Sequence, residues 1–280
     1  MARVAAVARD GRRLSARSLE RAVRRALPST TVLVRGPVRV VMRIDRDQAG
    51  RRAAARPDAG VVALSAAPVS SRVAAPVVAQ QLRNNCESAA LEVLLASLGV
   101  RADQLELLRG MPRSGPLDPV GQPPDQVWGD PDQGYVGRAD GSGPAGGFGV
   151  YPRPVAQVAA RYGRRLDDLT GAAPDVLYRR LLTGRAVLAW VALGDGPYGT
   201  WRSPAGKAIR VNFSEHTVVL TGVRADGSLS VINVLAGTRE VWSRQTFQAR
   251  YDLLGRRALA APLTARAVTS SPVAPPRPRT

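Results

Sequence analysis

The larger part of the chain is predicted to be an α+β fold, because its helical patterns come first and its apolar strands follow, without βαβ alternation. Three observations carry this. An apolar stripe at helical spacing follows Cys86. Four apolar runs come later: Ala186–Leu193, Ala208–Asn212, Thr217–Val223 and Leu229–Val234. The turn Arg224-Ala225-Asp226-Gly227 joins the last two as a hairpin. With 280 residues, 45% of them hydrophobic, the chain can bury a substantial core, which excludes wholesale disorder.

Taken in order, residues 1–75 read as a small α+β module of unknown role. Ser15 caps a helix with Leu19, Val23 and Leu27 on one face. Thr31–Arg35 and Val38–Ile44 are strands hinged on Gly36-Pro37, Asp47–Ala55 is helical, and Val61–Leu64 is a strand. The second zone, residues 76–262, opens with a helix over Cys86–Leu98. In it Asn84 and Glu87 fit a capping box, and Gly99 supplies the stop. A Gly/Pro-rich tract runs from Gly110 to Tyr151. Helices near Pro154–Tyr162 and Pro174–Leu182 precede the strands, and a helix near Arg244–Leu254 leads to a last strand, Ala258–Ala261. Residues 263–280 form a Ser/Pro/Arg tail expected to be disordered or a linker stub.

The 40 basic against 22 acidic side chains leave a charge of +18, but the basic residues are dispersed arginines with one lysine, Lys207. They make neither a helix-face stripe nor an aromatic-interleaved patch, so specific nucleic-acid binding is not expected. Attraction to anionic polymers such as those of a cell envelope stays open. No stretch approaches the ~18 apolar residues of a membrane span. The first residues lack a secretory core, so either the protein stays inside the cell or the chain lacks an upstream leader.

Chemistry concentrates on two singletons, Cys86 and His216. One cysteine excludes a disulfide framework and a multi-thiolate zinc site. Cys86 falls in the first helical turn, where free N–H groups and the helix dipole favour a thiolate; Glu87 opposes this. The alternative is a buried cysteine acting as a small hydrophobe. His216 opens an apolar strand, and Asn233 ends the neighbouring one, so the amide can orient the imidazole. Cys86 lies 130 positions before His216, an order that suits a Cys-His-Asn site. The alternative for His216 is a hydrogen-bonded histidine at a strand start.

Other signals are weaker. Gly141–Gly146 spells GxGxxG but follows no strand and opens no helix, so it reads as a loop. Asp130, Asp132 and Asp140 lack calcium-loop spacing and read as solvated carboxylates. No metal or cofactor is expected. Trp128 and Tyr151 are candidates for a substrate groove or for packing the long loop, and Phe148 for packing.

The segments Asn85-Cys86-Glu87-Ser88-Ala89-Ala90-Leu91 and Glu215-His216-Thr217-Val218-Val219-Leu220-Thr221-Gly222 resemble the bacterial C39-like cysteine peptidases, papain-fold relatives of bacteriocin-processing, double-glycine-cleaving enzymes. Trp128-Gly129-Asp130-Pro131, Gly147–Tyr151, Leu169-Thr170-Gly171, Gly184–Trp190 and Phe247–Ala258 resemble the family too, so the likeness spans residues 76–262. It implies a papain-like fold with the nucleophile on a helix packed against an antiparallel sheet. It also implies peptide or protein substrates, Cys86 as nucleophile, His216 as base, and Gln80, with Gln81 as fallback, at the oxyanion hole. Asn233 stands where the family usually carries Asp followed by Pro; this chain has Asn233-Val234, which implies reduced or altered activity. The same likeness leans toward an envelope or exterior location. The rival readings are a weak or inactive relative that binds peptides or envelope polymers, and a cell-wall transpeptidase or amidase.

Overall fold

The computed structural model describes residues 70–263, together with the two-residue strands Ala2–Arg3, Met42–Arg43, Ala63–Leu64 and Ala67–Pro68. The predicted helix after Ser15, the run Thr31–Arg35, the helix Asp47–Ala55 and the tail beyond Arg266 lie outside the described residues. Met42–Arg43 and Ala63–Leu64, each inside a predicted strand, pair antiparallel.

Within residues 70–263 the strands are β1 Ser71–Arg72, β2 Val136–Gly137, β3 Gly147–Gly149, β4 Asp167–Asp168, β5 Val187–Ala192, β6 Tyr198–Arg202, β7 Ala208–Asn212, β8 Glu215–Val223, β9 Leu229–Asn233, β10 Thr238–Trp242 and β11 Ala258–Ala260. The helices are α1 Cys86–Ser97, α2 Gln104–Arg109, α3 Pro152–Arg161, α4 Pro174–Leu182 and α5 Arg244–Asp252. The main sheet is antiparallel, ordered β10-β9-β8-β5-β11-β4. Strand β1 pairs with β8 at Gly222 and Val223, beyond the end of β5. The sheet therefore begins before the boundary predicted at residues 75/76.

Both sheet faces are covered, which explains why the central strands read as unbroken apolar runs rather than alternating ones. Leu188, Trp190, Val219 and Ile232 share one core with α1. Val187, Ala189, Val191, Val218, Leu220 and Val231 share the other with Leu177 and Leu181 of α4 and Phe247 and Tyr251 of α5. All six residues of β5 are buried. The β8–β9 turn closes as predicted, with Gly227 in the left-handed region at φ +82° and Arg224 N–H donating to Ser228 O at 2.8 Å.

Helix α1 forms because its Ala/Leu-rich sequence has high intrinsic helicity. It is buried on nearly all sides, from Cys86 through Leu95 apart from Glu92, so the predicted single stripe understates it. Gly99, at φ +77°, terminates it as expected, with Val100 N–H donating back to Leu95 O at 2.9 Å. The predicted capping box does not form. Asn85 holds the cap position without a side-chain cap bond, and Glu87 turns away to accept from Val150 N–H at 2.6 Å. The Asn84 side chain donates instead to Arg138 O at 3.1 Å and Gly141 O at 2.6 Å. Tertiary partners in the long loop outcompete the local motif.

That loop is packed rather than loose. Trp128 is 1% exposed, donates its indole N–H to Pro116 O at 3.1 Å, and lies 5.1 Å from the Trp201 ring. Trp128 is thus a packing residue here, not a wall of an open groove. Phe148 stacks edge-on with Tyr151 and Trp201, as a packing residue should. Asp130, expected to be solvated, is buried and paired with Lys207 Nζ at 2.9 Å; Asp132 shares that ammonium at 3.2 Å. The GxGxxG segment contains a short 3-10 turn, Gly143–Ala145, and is a loop as predicted.

Candidate active site

Two groups of side chains meet around the start of β8. The first surrounds Cys86, the opening residue of α1. Its backbone N–H has no intramolecular acceptor among the described residues, as the first position of a helix dictates. Its sulfur lies 3.4 Å from Glu87 Oε2 and beside Thr217. One carboxylate oxygen each of Glu87 and Glu215 lies with the sulfur in a group whose atoms are all within 4.8 Å of one another. Glu87 can sit so close to the loop because residue 149 is glycine, at φ +147°; a Cβ there would stand 2.1 Å from Glu87 Oε1.

The second group is a relay on β9 and β10. His216 Nε2 and Asn233 Oδ1 are 2.9 Å apart, the contact predicted from strand order. Asn233 Nδ2 then donates to Glu240 Oε1 at 2.8 Å, while Trp242 Nε1 donates to Glu240 Oε2 at 2.6 Å. Glu240 is a site residue that the sequence reading missed. Its signal was there: Thr238, Glu240 and Trp242 alternate on one strand, and Asn233 pairs with Thr238. A carboxylate therefore stands one amide away from the ring, where the family usually places it directly.

Alternation along β8 puts Glu215 and Thr217, opposite Ala192 and Trp190, on the side of α1, while His216, opposite Val191, leaves the strand the other way. No hydrogen bond joins the Cys86 sulfur to the His216 ring among the described residues, and His216 Nδ1 has no bonded partner there.

The electrostatics follow burial. Desolvation pushes the Cys86 thiol well up from its ordinary value, the charges of Glu87 and Glu215 add to this, and hydrogen bonding from Thr217 opposes it. The thiolate expected from the helix start is thus not the resting form: burial and two carboxylates outweigh the dipole. Glu87 is itself pushed up to about 7 by burial, against the Val150 N–H. Glu215 is raised by burial and by Glu87, with Arg257 opposing. Burial pushes His216 down to about 4, although the Asn233 bond and the Glu240 charge hold it up in part. For Glu240, burial works upward, but hydrogen bonds from Trp242, Asn233 and Thr238 and the Arg250 charge bring it below its ordinary value.

Gln80, predicted for the oxyanion hole, has both donors committed. Its side-chain nitrogen donates to Leu82 O at 2.9 Å and Arg83 O at 2.8 Å, and its backbone N–H to Val234 O at 2.8 Å. Gln81, the fallback, is exposed, and its N–H donates to Gln104 Oε1 at 2.9 Å. Tyr151 is buried under Arg257, whose guanidinium carbon is 3.9 Å from the ring centre. It lines a cavity of about 290 Å³ with Tyr198, Arg210, Asn212, Leu253 and Arg257. No described helix is long and apolar enough to cross a membrane.

The model of the peptidase C39-like family matches residues 73–259. A proposed C39-like peptidase from Bacillus anthracis shares the fold with a TM-score of 0.60 at 23% identity, over 70% of this chain and 99% of that one. A double-glycine-motif protease from an AMS/PCAT transporter, solved with its leader peptide, aligns with a TM-score of 0.40 at 13% identity over 69% of this chain and 95% of that one. No curated protein matches the chain. The papain-like α+β architecture and the match over most of the chain make it a member of the peptidase C39-like family, a group of cysteine peptidases.

Proposed function

We propose that this chain hydrolyses peptide amide bonds through Cys86, His216 and Asn233, by way of an acyl-thioester. The observation that carries the reading is the state of the His216 ring. Asn233 holds it through Nε2, which leaves Nδ1 as the free ring nitrogen at the same end of β8 as Cys86. In this mechanism Nδ1 takes the thiol proton as the sulfur attacks the substrate carbonyl carbon. The leaving amine receives that proton from Nδ1, and water then cleaves the thioester, returning the thiol. The Cys86 N–H is one oxyanion donor. Gln80 supplies the second once substrate draws its side chain from the Leu82 and Arg83 carbonyls, and one such donor is worth about 10²–10³ in rate.

Resting sulfur and ring are both neutral and leave β8 on opposite sides, so this mechanism requires the start of β8 to turn His216 toward Cys86 when substrate binds. The same neutrality favours a slow enzyme as the second reading, and supports peptide binding without turnover as its limit. Peptides of the cell envelope suit the net charge of +18 when their partners are anionic.

The test is digestion of a proteome-derived peptide library, read by mass spectrometry, with wild type, Cys86→Ala and His216→Ala. New termini that require both residues support the peptidase. Ligation of an added amine in place of water would redirect the reading to acyl transfer. Retained peptide binding with no new termini and no acylated Cys86 would leave a binding module.

A further inference from the structure

We propose that Cys86, Glu87 and Glu215 form a binding site for a zinc-class divalent cation, whose occupancy silences the thiol. The sulfur and one oxygen of each carboxylate already lie within 4.8 Å of one another. Zinc with Zn–S near about 2.3 Å and Zn–O near about 2.1 Å holds tetrahedral S and O ligands about 3.6 Å apart. Cys86 Sγ and Glu87 Oε2, at 3.4 Å, are at that spacing before any metal enters.

A second observation points to a ligand in the same spot. Glu215 Oε1 is a buried polar atom without a hydrogen-bond partner, and Thr217 Oγ1, fully buried, has nothing to bond but the neighbouring sulfur. Such an orphaned atom costs free energy unless something fills the gap. A cation would take Glu215 as third ligand, leaving Thr217 to bond a fourth, solvent-derived ligand. Glu87 is pre-oriented: Val150 N–H holds Oε1, which aims Oε2 at the sulfur. The guanidinium of Arg257 also acts on Glu215, but it is stacked on Tyr151 and donates to Leu254 O. One thiolate with two carboxylates suits zinc better than magnesium or calcium, which take oxygen ligands alone. Glu215 is only partly buried and gives the cluster its contact with the surface.

This inference is read by metal binding, so it stands or falls apart from the hydrolytic reading. The experiment titrates zinc chloride into the metal-free full chain against a chromophoric chelator, and repeats the titration with cobalt(II), whose thiolate ligation gives a near-ultraviolet charge-transfer band. One equivalent should bind. Cys86→Ser should abolish the cobalt band, and Glu215→Gln should weaken zinc by about tenfold or more, while His216→Ala keeps wild-type affinity. Absence of the cobalt band in wild type overturns the proposal. So does unchanged affinity in a folded Glu215→Gln, or loss in His216→Ala, which would assign the metal to sulfur and imidazole. Should Glu215→Gln fail to fold, Glu215→Asp serves, with the same weakening expected because the shorter arm withdraws the oxygen.

Discussion

The two halves of the candidate site are built on opposite principles. On β9 and β10, every polar atom that orients His216 is satisfied: ring to Asn233, Asn233 to Glu240, Glu240 to Trp242. Around Cys86, the thiol and two carboxyls crowd together, and Glu215 Oε1 is left without a hydrogen-bond partner. The first half holds the imidazole in one fixed orientation. The second is held toward neutrality by desolvation, which disfavours the thiolate. The difference places the unmet polar demand of this site at the helix start, not at the histidine.

The sharpest way to break that comparison is to remove its working parts. His216→Ala should lower kcat/KM on any cleaved peptide by about 10²–10⁴, the usual worth of a positioned acid–base group. In the resting protein, iodoacetamide should alkylate Cys86 slowly at neutral pH, with the rate rising only above the ordinary thiol range near about 8.5. Rapid alkylation at acid pH that His216→Ala slows would mean that the sulfur and ring are already an ion pair in solution, and the contrast between the halves would collapse.

How much of this was readable beforehand depends on which force positions each residue. The β8–β9 hairpin and α1 could be read because burial on both sides leaves long apolar runs and a glycine stop. The His216–Asn233 contact followed from strand order alone. Strand β10, Thr238–Trp242, escaped notice because it is an edge strand whose residues are mostly exposed or half-buried, so no apolar run marks it. Helix α2 is six residues long and depends on the Asp103 cap, a signal too short for periodicity. The meeting of Glu87 with Glu215 could not be read at all, since only the packing of α1 on β8 brings them together. That packing also reversed the thiol's expected titration: the helix dipole was visible in sequence, the desolvation was not.

The pH dependence of stability should separate the halves by sign. His216 binds its proton below about 4 when folded but near 6.5 when unfolded, so its contribution to stability is lost as pH falls through that window. Glu87 is the reverse: raised from 4.5 to about 7, it takes up a proton in the folded state first, so stability is gained as pH falls from 7 toward 4.5. Each shift corresponds to about 3 kcal/mol, and between the two windows they offset one another, with Glu215 acting in the same direction as Glu87. Metal-free wild type should therefore show a rising denaturant midpoint as pH falls from 7 to 5, because two raised carboxyls outweigh one lowered imidazole. Glu87→Gln, which keeps an acceptor for Val150 N–H, should be more stable than wild type at pH 8 and should gain much less on acidification, since Glu215 alone then offsets His216. A pH-independent difference between the two proteins would show that the carboxyl is not the titrating group.

The smallest expected effect tests whether Glu240 does for Asn233 what a direct aspartate would do. The carboxylate raises the His216 pKa through the amide, yet Asn233 cannot itself carry charge. Glu240→Gln should therefore lower kcat/KM by about tenfold, roughly 1.4 kcal/mol, and move the acid limb of the pH–rate profile downward, because the ring loses a stabilising negative charge. Asn233→Asp should move the limb the other way and restore part of the rate, since the charge then contacts imidazolium directly, provided Glu240 is also made Gln to avoid two facing carboxylates. A purely structural role for Glu240 would lower the rate without moving the limb. In that case the asparagine would simply orient the ring, and the relay would have no electrical part in catalysis.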